Sequence, residues 1–282
     1  MNRSIYIRRK IVNRVGMALS GAAMATGLAA LAWILWTLFF NGLAAFGADF
    51  FLRSTPAPGS EGGGLANAIV GSLMMVGFAT LVSTPIGILA GIYLAEFGTH
   101  SKFASLTRFL TDIMLSAPSI VIGLFVYAIA VATVNQFSGW AGSLALSLIA
   151  VPIVVRTTEN MLKLVPGSLR EAAFALGAPR WKVSLAVTLR AVRGGIITGV
   201  LLAVARIFGE TAPLLFTSLN NQFFSTDMSK PIANLPVVIY NFALSPYEDW
   251  QRLAWGGAAL IALIVLGINI SARVLFRSKL PT

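Results

Sequence analysis

The stretch from Gly194 to Thr217 reads GGIITGVLLAVARIFGETAPLLFT. About a dozen mostly apolar residues lead to Arg206, and Glu210 follows four positions later. The run is long enough to be a membrane-crossing helix, which needs about 20 residues. Whether it crosses a membrane decides how the charged pair is read, and composition answers first. Of the 282 residues, 57% are hydrophobic and only 11% are charged, with a mean hydropathy of +0.81. A soluble domain has roughly a quarter of its residues charged, so the deficit points to a membrane protein.

Six runs of the chain can cross a hydrocarbon core: about 17–40, 66–95, 110–134, 139–156, 194–219 and 253–276. A basic segment, 1–16, precedes them, and a short tail, 277–282, follows. The fourth run is short and contains Pro152. The first is about 24 residues long, beyond the usual 7–15 of a signal-peptide core, and reads as a retained helix. Charge orients the runs. Arg3, Arg8, Arg9, Lys10 and Arg14 precede the first, and Lys102 and Arg108 lie between the second and third. Arg156, Lys163, Arg170, Arg180, Lys182, Arg190 and Arg193 lie between the fourth and fifth, and Arg273, Arg277 and Lys279 follow the last. These alternate segments hold 17 of the 21 basic residues. Basic residues stay on the cytoplasmic side. The expected fold is therefore an all-α integral membrane protein with six transmembrane helices and both termini cytoplasmic. The net charge of +11 follows this topology instead of clustering on one soluble face, so no nucleic-acid partner is expected. Small residues spread through the runs, 26 glycines among them, favour close helix packing.

The chain has no cysteine and one histidine, His100. That removes disulfides, thiolate nucleophiles and nearly every metal-ligand cluster, and no cofactor is expected. Asp112 reads as a helix cap or first-turn acid, and Glu96 as an ordinary boundary residue. No G-x-x-x-x-G-K-[ST] motif is present, so the chain cannot hydrolyse ATP by that route. It does not read as an enzyme.

The longest cytoplasmic connection carries PGSLREAAFALGAPRW, Pro166 to Trp181. Its local signals predict a short helix. Ser168 is placed to cap the start, with Glu171 as capping-box partner. Gly177 suits the left-handed residue that ends a helix, and Pro179 blocks continuation. So short a helix is marginal alone in water. Leu169, Ala172, Ala173, Phe174 and Leu176 therefore need a surface to bury against, either the protein's own helices or a groove on a cytoplasmic partner.

EAAFALG, followed by Val187-Thr188-Leu189 and then Gly195-Ile196, resembles the EAA loop of ABC-importer permeases, here about 166–190. The matching positions are Glu171, Ala172, Ala173 and Gly177, and Arg190 stands where that family usually has proline. YLAEFG (Tyr93–Gly98), APSIVIGLF (Ala117–Phe125) and ARIFGETAPLLFT (Ala205–Thr217) narrow the resemblance to the phosphate-importer branch, from about Gly63 to the carboxyl terminus. The resemblance implies a type I ABC-importer permease fold in a bacterial cytoplasmic membrane. It also implies a second, related permease subunit as heterodimer partner, a dimer of cytoplasmic ATPase subunits, and an external phosphate-binding protein. The loop would be the coupling helix seated in a cleft of the ATPase, and inorganic phosphate the substrate.

Arg206 and Glu210 then have two readings. A charge at the bilayer centre opposes insertion by roughly 2.5–3.5 kcal/mol. A buried ion pair gives little net stability, since apolar replacements often do as well. Either the two form a self-neutralised pair that fixes helix orientation, or they line a polar path. The resemblance places this Arg and Glu on the translocation path, and a phosphate anion suits a guanidinium fork. Pro213 is expected to break the helix near Gly209, and Pro118 and Pro85 could do the same elsewhere. Other readings are a permease for another oxyanion (sulfate or molybdate), which the charged pair disfavours, a membrane enzyme, or a sensor subunit without its own transport. Outside, GSEGGG (Gly59–Gly64) reads as a flexible turn. The loop from Ser218 to Arg252 reads as an interfacial segment, with Pro236, Tyr240, Phe242, Tyr247 and Trp250 suited to contact with membrane lipid headgroups. The resemblance gives such external loops to the binding protein.

Overall fold

In hydrocarbon a backbone can satisfy its polar groups only as helices or as a closed barrel. The computed structural model describes residues 3–60, 62–98 and 101–275, and these contain helices and no strand. Glu61, His100 and the tail at 277–282 lie outside the described residues. Helix α1 (Arg3–Leu43) leads through the short α2 (Ala48–Leu52) to α3 (Ala66–Ile92), which widens into a π turn over Tyr93–Phe97. Then come α4 (Lys102–Ser116) and α5 (Ser119–Val126), the latter widening over Tyr127–Val131, and α6 (Gly139–Lys163). The connection that follows holds α7 (Gly167–Ala175), α8 (Arg180–Lys182), a π turn at Val183–Thr188, and α9 (Leu189–Ala191). The chain closes with α10 (Arg193–Phe208), α11 (Ala212–Leu215), α12 (Leu235–Ala243) and α13 (Glu248–Leu275).

Four helices have the length and apolarity to cross a membrane unbroken: Ile5–Leu43, Ala66–Phe97, Gly139–Lys163 and Glu248–Val274. Two bent pairs raise the number to six when each counts as one crossing. The run read as one span over 110–134 is one of them, since Lys102–Ser116 turns by 107° into Ser119–Val131. Pro118 disfavours helical geometry in the residue before it, and Ala117 is extended, with ψ 136°. The second bend, 73°, lies between Arg180–Ala191 and Arg193–Phe208. It forms at Val192 although Arg190 replaces the usual proline. The fourth helix runs seven residues past the expected end at 156, to Lys163, and Pro152 sits inside it without breaking it. Pro85 likewise lies within an unbroken α3.

Helix α6 occupies the centre and packs against α3, α4, α5 and α10. The α3–α6 seam depends on small residues: a Cβ on Gly91 would lie 2.6 Å from the Thr158 Cβ. Met75, Leu146, Ile207 and Leu235 are among the largest fully buried side chains. None of the most apolar part of α1 is buried within the chain. The segment from Ser218 to Arg252 differs from the expected headgroup anchor. Leu235, Val237, Val238 and Phe242 of α12 are buried, and the Leu235 N–H donates to the Ser72 hydroxyl at 2.8 Å. Phe242 stacks on Trp250 with ring centroids 4.2 Å apart. Only Tyr240 and Tyr247 of the expected aromatic set stay exposed enough to meet lipid headgroups.

Candidate functional site

Helix α10 ends two residues after Arg206. The Gly209 and Glu210 N–H groups reach back only three residues, to the carbonyls of Arg206 and Ile207, both at 3.3 Å. Pro213 has no N–H to offer Gly209 and instead lies in the first turn of α11. Across this break the Arg206 Nε lies 3.7 Å from the Glu210 Oε1, with side chains 57% and 14% exposed. That is an ion contact but too long for a hydrogen bond, and it leaves most of the guanidinium open. Arg206 also lines a small recess with Met114, Ala117, Ser119 and Ile122, at the bend made by Pro118. Beside it, α5 meets α11 through Gly123 and Pro213. Arg206, Glu210, Pro118 and Pro213, each singled out from sequence, thus converge where two helix breaks meet.

Helix α7 has no buried residue. Glu171, Ala172 and Gly177 are exposed, Ala173 is half-buried, and Leu169, Phe174 and Leu176 present apolar surface. The end of the helix agrees with its sequence, with Gly177 at φ +79° and Pro179 capping α8. The capping box does not form. The helix starts two residues earlier than a Ser168 cap would set it, with Pro166 as cap and no side-chain cap hydrogen bond. Arg170 secures α7 instead. It donates to the carbonyls of Val165 (2.6 Å) and Leu162 (2.8 Å) and pairs with Glu96 at 2.9 Å. Glu96 is therefore more than a boundary residue.

A second charged cluster was not singled out from sequence. The Glu159 side chain on α6 is fully buried. Its Oε1 accepts from the Arg108 Nε at 2.7 Å and meets the Lys163 Nζ at 2.8 Å, while Oε2 accepts from Arg156 at 2.9 Å. Arg156 also donates to both carboxylate oxygens of Asp112. Asp112 lies near the end of α4, not its start, and the α4 cap is Ser101, which accepts from the Ala104 N–H at 3.4 Å. The spacing of Arg156, Glu159 and Lys163 on one helix face was the available signal. Taken as flanking basic charges alone, Arg156 and Lys163 conceal it, because the acidic Glu159 between them goes uncounted.

The chain matches the family model described as "Binding-protein-dependent transport system inner membrane component" over residues 87–278. The phosphate transport system permease protein PstA of Yersinia pestis is 59% identical over 271 residues, 96% of this chain and 92% of that protein. The PstA protein of Haemophilus influenzae is also 59% identical, covering 96% of each chain. PstA 1 of Mycobacterium tuberculosis strain H37Rv is 35% identical over 97% of this chain and 90% of that protein. Among solved structures, the inward-facing MetNI methionine ABC transporter aligns with TM-score 0.60 at 17% identity, over 75% of this chain and 92% of that one. A bacterial alginate ABC transporter, solved with its alginate-bound periplasmic protein, aligns with TM-score 0.58 at 15% identity, over 98% and 99%. At those identities the two structures speak to the fold alone, an ABC-importer permease. The chain is a member of the binding-protein-dependent inner-membrane transport components and, within them, of the PstA family of phosphate transport system permeases.

Proposed function

We propose that this chain carries inorganic phosphate across a bacterial cytoplasmic membrane, with Arg206 and Glu210 on the ion's path and α7 as the seat of a separate ATPase. The observation that carries the reading is the loose, half-open pairing of Arg206 at the meeting of two helix breaks. Arg206 lies about 20 Å along α10 from Arg193, deep within a hydrocarbon core of about 30 Å. An arginine at that depth with only a 3.7 Å ion contact is poorly placed as structural glue. It is well placed to offset the charge of a passing anion, whose oxygens match the guanidinium fork. Glu210 steadies the arginine and repels the anion, which keeps the ion's stay brief; conduction needs binding weak enough to release. The open side of Arg206 is where a second, related permease would complete the path.

Energy enters from outside the chain, which has no ATP-binding loop of its own. The unburied apolar side chains of α7 and the exposed Glu171, Ala172 and Gly177 support docking on a dimer of cytoplasmic ATPase subunits. The loops outside the membrane are the surface for a phosphate-loaded binding protein. The bias of basic residues supports a cytoplasmic amino terminus.

The test is uptake of labelled phosphate by the assembled system, with labelled sulfate for comparison, in wild type and Arg206→Gln. Assembly with the ATPase is verified in both. Phosphate uptake should fall by roughly tenfold or more, equivalent to at least about 1.4 kcal/mol on the barrier. Unchanged uptake would return the pair to a structural role, and wild-type uptake of sulfate in place of phosphate would overturn the substrate.

A further inference from the structure

The Glu159 cluster joins α6 to α4 away from Arg206, and the path reading makes no use of it. A carboxylate with no exposed surface and three basic partners is an expensive way to hold helices together, because apolar packing of similar volume does as well. What such a cluster supplies is a defined seat. Helix α4 has little else. Of its fifteen residues only Ala104 and Thr111 are buried, while Phe103, Leu106, Phe109 and Ile113 are exposed. Its position on α6 therefore rests largely on Arg108–Glu159 and Asp112–Arg156. Elements held by few apolar contacts are those that shift at low free energy.

Both ends of this seat lead somewhere. Arg170 of α7 binds the Leu162 and Val165 carbonyls, next to Lys163, which closes the cage around Glu159. Arg170 also holds Glu96, while Arg108 donates to the Leu94 carbonyl of the same π turn at 2.7 Å. At the other end, α4 supplies Met114 and Leu115 to the recess of Arg206 before the chain bends into α5. A displacement of α7 thus acts on both acceptors of Arg108, the Glu159 carboxylate and the Leu94 carbonyl, and a displacement of α4 moves the wall facing Arg206.

We propose that Glu159 is the positioning residue through which movement of α7 reaches the helix break beside Arg206. The two states are α4 seated on α6 and α4 released from it. The inference rests on the reading of Arg206 as part of the ion's path and of α7 as the ATPase contact.

The experiment uses the whole complex in vesicles and measures phosphate uptake and ATP hydrolysis together. Glu159→Gln should keep ATP hydrolysis within about twofold of wild type while uptake falls roughly tenfold, a coupling loss of ordinary size. Glu159→Asp should recover part of the uptake. Because the chain has no cysteine, spin labels at Phe109→Cys on α4 and Leu144→Cys on α6 report the seat directly. Their separation should change when a non-hydrolysable ATP analogue is added, and the change should be lost in Glu159→Gln. An unchanged ratio of ATP hydrolysed to phosphate imported overturns the proposal, whether both rates stay normal or fall together. So does an α4–α6 separation that ignores nucleotide. If Glu159→Gln does not assemble, Lys163→Gln removes only the half-exposed arm of the cage and is read the same way. Normal uptake by Arg206→Gln beside a raised ratio in Glu159→Gln would instead remove Arg206 from the path and leave the role of Glu159 standing.

Discussion

Gly123 of α5 lies directly against the backbone of Pro213 in α11: a Cβ added at Gly123 would fall 2.5 Å from the Pro213 Cα. The obstacle is backbone, which cannot swing aside as a flexible side chain could. Two helix breaks 95 residues apart in the chain are thus held together by the absence of one methyl group. Overpacking at such a contact costs about 1–3 kcal/mol. Gly123→Ala should lower the thermal unfolding midpoint of the detergent-solubilised chain and reduce phosphate uptake. Gly77→Ala, on the exposed face of α3 with open space around it, is the matched control. Equal behaviour of the two variants would show that the α5–α11 contact bears no strain.

Docking of α7 can be separated from its folding. Leu176 is 88% exposed, so Leu176→Asp removes nothing from the chain's own core. The variant should fold with wild-type stability and lose the co-purifying ATPase. Gly177 tests the same helix through its backbone. At φ +79°, with nothing within 4 Å of an added Cβ, only conformation resists substitution. Asn, which tolerates this region, should retain the ATPase, whereas the β-branched Gly177→Val should release it. Retention of the ATPase by both Leu176→Asp and Gly177→Val would place the contact elsewhere.

At the start of α3, Asn67 is buried and gathers three segments. Its carbonyl accepts from the Thr55 N–H at 3.1 Å, and its amide donates to the Thr55 hydroxyl at 3.0 Å and the Asn221 carbonyl at 2.9 Å. Asn67→Leu would strand these groups, at about 1–3 kcal/mol for each one left unsatisfied. Amide hydrogen exchange should accelerate around residue 55 and residues 221–222, with little change at α7. Protection left intact at residue 55 would mean that the loop is held by other contacts.

Much of the architecture could be read before any coordinates. A helix in lipid makes all its backbone hydrogen bonds within its own segment, so length, apolarity and flanking charge are enough to find it. The end of α7 at Gly177 and the break before Pro213 were legible for the same reason, since a glycine's freedom and a proline's missing N–H act on immediate neighbours. Local signals also misled. Pro85 and Pro152 look like Pro118 in sequence, yet α3 and α6 run through theirs without a break. Ser168 and Glu171 have capping-box spacing, yet the helix starts at Gly167.

The sequence by itself determined the long apolar helices, the short helix that ends at Gly177 and the four-residue spacing that pairs Arg206 with Glu210. Only the tertiary structure decided which prolines bend the chain, that the bends at Pro118 and Pro213 meet at Arg206, and that Glu159 is caged by Arg108 from 51 residues away. The division follows from the range of the forces. Hydrogen bonds along one helix and the transfer of a side chain into lipid depend on neighbours in sequence. A proline's tolerated kink, a glycine's close approach and a buried carboxylate's partners depend on which helix packs alongside, and no local pattern records that.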